Sequence, residues 1–164
     1  MGVDPGLVAT GFGVLEAAPG AVTVLDAGVI TTGSTQPLEA RLNAIYRAVL
    51  QVIETRTPTF LVVEDLYTEY KFPRTAILMG HARGVIYLAA RQLGVGVTAL
   101  APSEVKRAVT GNGSAGKAQM QRGVQTLLGL KDLPHPSHVA DALGLALTGL
   151  ARMTGITPKG RAVR

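Results

Sequence analysis

The apolar positions of the chain change their period from segment to segment, and each change marks an expected element. Gly2-Val3 is a short apolar run that ends on Asp4. Pro5 biases the residue before it towards extended geometry, and Pro5-Gly6 turns the chain. Gly11 to Leu15 reads as a return strand, which leaves the Asp4 carboxylate at the lip of a hairpin. Taken alone, Asp-Pro-Gly is an ordinary turn. Val22–Ala27 and Gly28–Thr32, between the turn residues Pro19-Gly20 and Gly33-Ser34, read as a second strand pair or one bent strand. The period then lengthens. Leu38, Leu42, Ile45, Val49 and Val52 follow at helical steps and predict a helix over 38–53, with Arg41, Arg47 and Glu54 off the stripe and Pro58 stopping it.

Phe60, Leu61, Val62 and Val63 are apolar without alternation, the pattern of a strand covered on both faces. Glu64 ends that strand, where sites in open α/β sheets lie. Residues 67–75 read as a loop rich in aromatic and basic side chains, including Tyr67, Lys71 and Arg74. A long helix over 76–93 follows, and Gly80 and Gly84, one turn apart, predict close packing against a neighbouring element. Val95–Leu100 is a further short strand, and Pro102-Ser103 opens a helix carrying Lys106 and Arg107. The glycine-rich stretch 110–116 reads as a flexible loop that ends at Lys117, where helix resumes to 128. Pro134 and Pro136 bracket a turn, and Ser137 is placed to cap a last helix over 138–152. Val139, Leu143, Ala146, Leu147 and Leu150 give that helix one apolar face. No internal repeat or linker divides the pattern, so one domain over 1–153 is expected, followed by a basic, disordered tail at 154–164.

Composition narrows the class. A chain of 164 residues, 47% apolar and 16% charged, has the makings of a folded α/β domain with a proper core and not of a disordered protein. The absence of cysteine excludes a disulfide scaffold and a thiolate metal site. No signal-like segment opens the sequence, and His81, Arg83 and Arg91 interrupt the longest apolar runs, so no membrane span and a cytoplasmic location are expected. The net charge of +5 and a pI near 9.9 point to a polyanionic partner, nucleic acid first.

Chemistry enters through carboxylates. Asp4 and Glu64 end predicted sheet strands, while His138 and Asp141 lie three apart on the first turn of the last helix, able to project from one face. That helix N-terminus also favours the charge of Asp141. Each has an ordinary alternative: a solvated strand end for Glu64, a surface imidazole for His138, a first-turn helix charge for Asp141. Converging carboxylates, however, would repel or protonate unless a cation sat among them. An oxygen-rich set suits Mg²⁺ or Mn²⁺, and two such ions roughly 4 Å apart can drive phosphodiester hydrolysis. Lys106 and Lys117 flank the glycine-rich loop, which could approach a phosphate backbone closely; the plainer alternative is a solvated basic face. No Ser, Tyr or Cys stands in a convincing nucleophile setting, so hydrolysis without a covalent intermediate is expected.

At this level the chain resembles the RuvC Holliday junction resolvases of the ribonuclease H-like superfamily. The resemblance runs from Gly-Val-Asp-Pro-Gly at 2–6 to about residue 153. It includes Arg41-Leu42 with Ile45-Tyr46, Val63-Glu64, Ala82-Arg83-Gly84, Val105-Lys106, the Gly-x-Gly-Ser-Ala-x-Lys segment at 111–117 and His138-Val-Ala-Asp-Ala-Leu143. It implies a central mixed five-stranded sheet flanked by helices on both faces, and a homodimer that nicks two opposed strands of a four-way DNA junction. The products would carry 5′-phosphate and 3′-hydroxyl ends, and the RuvA–RuvB branch-migration complex would be a partner. Asp4, Glu64 and Asp141 match the family's metal-binding carboxylates. His138 falls where many members have a further Asp, so an imidazole replaces a hard oxygen ligand; it either shifts the preference towards Mn²⁺ or transfers a proton near neutral pH. Lys106 and Lys117 match residues held to contact the scissile region. Tyr67 falls where members often have a Phe that stacks on a base, which Tyr also does.

Three other readings start from the same residues. An actin- or sugar-kinase-like nucleotide-binding domain shares the topology and a Gly-x-Asp-x-Gly loop, but normally needs two such domains. A non-catalytic junction-binding module would keep the acidic residues for structure only. Another nuclease of the superfamily would act on a different DNA structure. Members usually carry several residues before the Gly-x-Asp-Pro-Gly element, so upstream residues of the first strand are expected to be missing here.

Overall fold

The computed structural model describes residues 1–19, 21–66 and 73–156. Strand β1 (Gly2–Asp4) is followed by β2 (Ala9–Ala18) and β3 (Ala21–Thr31), then α1 (Leu38–Arg56) and β4 (Phe60–Glu64). Helix α2 (Pro73–Gln92), β5 (Gly96–Leu100), α3 (Pro102–Thr110), α4 (Lys117–Leu128) and α5 (Ser137–Thr154) complete the described chain. The strands form one five-stranded sheet in the order β3-β2-β1-β4-β5. β1 pairs antiparallel with β2 and β2 with β3, whereas β1, β4 and β5 run parallel, so the sheet is mixed. Strand β3 runs unbroken over Ala21–Thr31, with a bulge at Leu25 where the pairing shifts opposite Val14 and Leu15 of β2.

Three parallel strands bring their C-terminal ends to one edge. Val3, Leu61 and Val63 point into a core shared with α1 and α2, and Val62 and Leu100 into a second core shared with α3, α4 and α5. Leu61, Val62 and Val63 are fully buried, as expected of a strand covered on both faces. α1 ends on Thr57, whose φ of 43° is left-handed and whose N–H donates to the Ile53 carbonyl at 2.8 Å. Pro58 keeps Thr57 out of helical geometry, which is why the helix stops there.

Two expectations fail on packing. α5 is buried from Val139 to Leu150 without a break save Asp141, not along one face, because the sheet lies under it and α3 and α4 cover it. Ser137 is its first residue, and no side chain caps it. Gly80 and Gly84 likewise do not seat a neighbour. Among the described residues, a methyl group at Gly80 would only graze Leu66 at 3.9 Å, and one at Gly84 would meet nothing within 4 Å. The close approach is made elsewhere: a Cβ on Gly2 would lie 2.2 Å from the Ala142 carbonyl oxygen, and one on Gly11 2.1 Å from that of His138. A Cβ on Gly13 would lie 2.7 Å from Leu143 Cδ2. β1 and β2 are thus a glycine floor on which the first half of α5 rests.

Candidate active site

The pairing Gly2↔Val62 and Val3↔Val63, continued by one residue, sets Asp4 beside Glu64 at the C-terminal edge of the sheet. Strand alternation gives Asp4 and Glu64 the side of Gly2 and Val62, the side that α5 covers. The glycine floor lowers the first turn of α5 onto that edge and delivers His138 and Asp141 to Asp4. Asp4 is buried, 8% exposed. His138 Nδ1 lies 2.7 Å from Asp4 Oδ2, a hydrogen bond in which the ring N–H donates to the Asp4 oxygen. One ligand atom from each of Asp4, His138 and Asp141 lies within 4.8 Å of the other two. Glu64 stands outside that tight set, close enough to feel Asp4 and Asp141 electrostatically.

The electrostatics are those of a site short of positive charge. Burial, then the Asp4 and Asp141 carboxylates, raise Glu64 to about 7, opposed by Lys106 and Arg83. Burial and Asp4 raise Asp141 to about 6, opposed by His138, Lys117 and Lys106. The hydrogen bond from Asp4 raises His138 above its ordinary value, against burial and Lys117. Carboxylates pushed this far towards their neutral forms would ionise readily around a divalent cation, and the donor set of carboxylates and one imidazole suits Mg²⁺ or Mn²⁺.

The other predicted residues divide. Lys106 on α3 and Lys117 at the start of α4 both lower the Asp141 pKa, so both stand near the cluster. Arg74 is exposed on the first turn of α2. Tyr67 and Lys71 lie outside the described residues. Sequence reasoning named Arg83 within a motif and as a break in an apolar run but gave it no role at the site, yet its guanidinium donates to the Glu64 carbonyl. The available signal was Tyr87 four residues on, a cation–aromatic pair on one helix face.

A mixed five-stranded sheet with helices on both faces, and acidic side chains gathered where parallel strands end, define a ribonuclease H-like protein. The profile of the family described as "Crossover junction endodeoxyribonuclease RuvC" matches residues 1–149. The crossover junction endodeoxyribonuclease RuvC of Treponema pallidum (strain Nichols) is 45% identical over 148 residues, covering 90% of this chain and 75% of that protein. That of Rhodopirellula baltica is 42% identical over 149 residues, covering 91% and 84%. The solved structure of Thermus thermophilus RuvC in complex with a Holliday junction superposes with a TM-score of 0.85 at 36% identity, covering 96% of this chain and 97% of that one. The chain belongs to the RuvC family of crossover junction endodeoxyribonucleases.

Proposed function

We propose that this chain resolves four-way DNA junctions by metal-dependent phosphodiester hydrolysis, cutting two opposed strands symmetrically to leave 5′-phosphate and 3′-hydroxyl ends. The observation that carries the chemistry is the convergence of Asp4, His138 and Asp141 at the edge where Glu64 ends β4. Asp4, His138 and Asp141 would hold one divalent cation, Mg²⁺ or Mn²⁺, with His138 giving up its hydrogen bond to Asp4, and Glu64 would hold a second together with Asp4. Bound there, such ions activate water and stabilise the leaving oxygen. Before a cation binds, the 2.7 Å hydrogen bond to Asp4 holds the His138 ring at the site. Lys106 and Lys117 hold the scissile phosphate against the carboxylates. Tyr67, Lys71 and Arg74 follow Glu64 in the chain and contact the junction arms, Tyr67 by stacking on a base.

The homodimer forms through α2. Arg74, Ile77, His81, Gly84, Leu88 and Arg91 make one exposed stripe, with Ile77 62% and Leu88 52% exposed, a high apolar exposure for a free helix face. Gly84, with open space above it, is where a second α2 could cross closely. By family inference RuvA–RuvB is the partner complex and the cytoplasm the compartment. Among the described residues, no helix is long and apolar enough to cross a membrane.

The test is cleavage of a mobile four-way junction beside a matched linear duplex, with Mg²⁺, with Mn²⁺ and with chelator. Paired symmetric nicks on the junction alone, lost in Asp4→Asn while junction binding persists, are the expected result. Binding without cutting under either ion would turn the reading to a binding module, and ATP hydrolysis without junction binding to a kinase-like domain.

A further inference from the structure

We propose that Arg83 is a positioning residue for cleavage: its guanidinium sets where the end of β4 stands, and so how closely Glu64 approaches Asp4, His138 and Asp141. This rests on the reading of Glu64 as ligand to a second cation.

Arg83 faces inward from α2, its side chain only 13% exposed, so its charge has to be met locally. Its Nη1 donates to the backbone carbonyl oxygen of Glu64 and lies 3.4 Å from Asp65 Oδ1. Its Nη2 donates to the Tyr87 hydroxyl at 2.9 Å, and the guanidinium carbon sits 5.4 Å from the centroid of that ring. Asp65 is held in turn: its N–H donates to the Leu100 carbonyl of β5 at 2.8 Å, and its Oδ1 accepts from the Leu66 N–H at 2.9 Å. The point where β4 leaves the sheet is therefore tied to β5 on one side and to α2 on the other. Among the described residues, Arg83 supplies the hydrogen bond of the second tie, beside the apolar packing of Val63 on α2. A planar guanidinium can reach the carbonyl, the carboxylate and the phenol together, whereas an ammonium offers one point of charge.

This tie matters because Glu64 lies beyond the tight set formed by the other three ligands. A glutamate reaching into a site from a strand end has three side-chain torsions to spend. Fixing its backbone carbonyl leaves only those torsions free, and the Arg83 charge also favours the ionised carboxylate. Supporting partners of metal ligands typically carry tenfold to hundredfold effects on metal affinity or rate.

The variants are Arg83→Gln, Arg83→Lys and Tyr87→Phe. Each is checked for fold by circular dichroism and thermal unfolding, for junction affinity in chelator, for single-turnover cleavage in Mn²⁺, and for Mn²⁺ binding to DNA-free protein by electron paramagnetic resonance. Arg83→Gln is expected to keep junction affinity within about twofold while the cleavage rate and the affinity for the weaker Mn²⁺ ion fall about tenfold to hundredfold. Arg83→Lys restores part of both. Tyr87→Phe, which leaves the bond to Glu64 in place, shows a loss of a few fold in the same two quantities. A folded Arg83→Gln with unchanged rate and Mn²⁺ binding overturns the proposal. So does a variant that loses junction affinity and cleavage in equal measure, because Arg83 would then be a DNA contact. If Arg83→Gln does not fold, unchanged rate and Mn²⁺ binding in Tyr87→Phe overturns it. Failure of the underlying site reading appears instead in the unsubstituted protein, as a single bound Mn²⁺ or no cleavage.

Discussion

Replacing Glu64 by Gln should stabilise the metal-free protein at pH 8 while removing its cleavage activity. In the fold, burial and the neighbouring Asp4 and Asp141 carboxylates raise Glu64 from an ordinary 4.5 to about 7. A carboxyl raised on folding binds its proton more tightly in the folded state. Its contribution to stability is full below the unfolded value near 4.5 and is lost as pH rises through about 7. That span is roughly 2.5 units at 1.36 kcal/mol each, so ionising Glu64 costs the metal-free fold at most about 3 kcal/mol. Asp141, raised to about 6, titrates in the same sense and contributes to the Glu64 shift, so part of the figure belongs to their coupling and not to Glu64 alone. Glutamine keeps the shape and drops the charge. At pH 8 in chelator the variant should melt above the parent by up to about 6–12 °C, using 2–4 °C per kcal/mol for a chain of this size. At pH 5 the gap should narrow, since Glu64 is then largely protonated in the parent. Added Mn²⁺ should raise the parent's melting temperature more than the variant's. Differential scanning calorimetry at the two pH values, with and without Mn²⁺, reads all of this. A variant no more stable than the parent at pH 8, or one that still cuts the junction at full rate, would refute the reasoning.

Other outcomes follow from the packing and the ligand set. Gly11→Ala forces a methyl group to within 2.1 Å of the His138 carbonyl oxygen, so the first turn of α5 must lift. Thermal unfolding should report a loss of about 3 kcal/mol or more, with cleavage lost even where the protein folds. Gly84→Ala meets open space and should stabilise the α2 helix of the monomer by up to about 1 kcal/mol. Sedimentation should nevertheless show a weaker dimer if that face crosses a second α2, and unchanged association would argue against the interface. His138→Asp restores an all-oxygen set, and the ratio of Mg²⁺- to Mn²⁺-supported cleavage rates should rise. In the parent, protonation of the His138 ring, favoured by its hydrogen bond to Asp4, competes with cation binding, so the metal concentration for half-maximal rate should fall as pH rises through the His138 pKa, itself held above 6.5.

Much of this was readable from the chain alone. Local pattern suffices where burial is one-dimensional. The uninterrupted Phe60–Val63 run could only be a strand covered twice, and the stripe from Leu38 to Val52 could only be a helix lying on something apolar. Position at strand ends made Asp4 and Glu64 candidates, and a spacing of three on one helical turn paired His138 with Asp141. Tertiary structure alone decided how those groups meet. Glycines offer no side chain to a periodicity argument, so Gly2, Gly11 and Gly13 read as neutral although they admit α5 to the sheet, and Gly80 and Gly84 read as packing residues although no described residue approaches them closely. Alternating glycine at 11 and 13 was the one available hint, two residues apart and therefore on one face. The nearly continuous apolar run from Val139 to Leu150 called for cover on every side of α5, but that α3 and α4 supply it was decided only by the fold. Arg83 is the same lesson in electrostatics: a charge among apolar helix positions is ambiguous until its partner is known, and its partner is a backbone carbonyl, which every residue possesses. Side-chain pattern records what each residue prefers to be near; where the chain comes back to meet itself is settled by packing, and that is where this site is made.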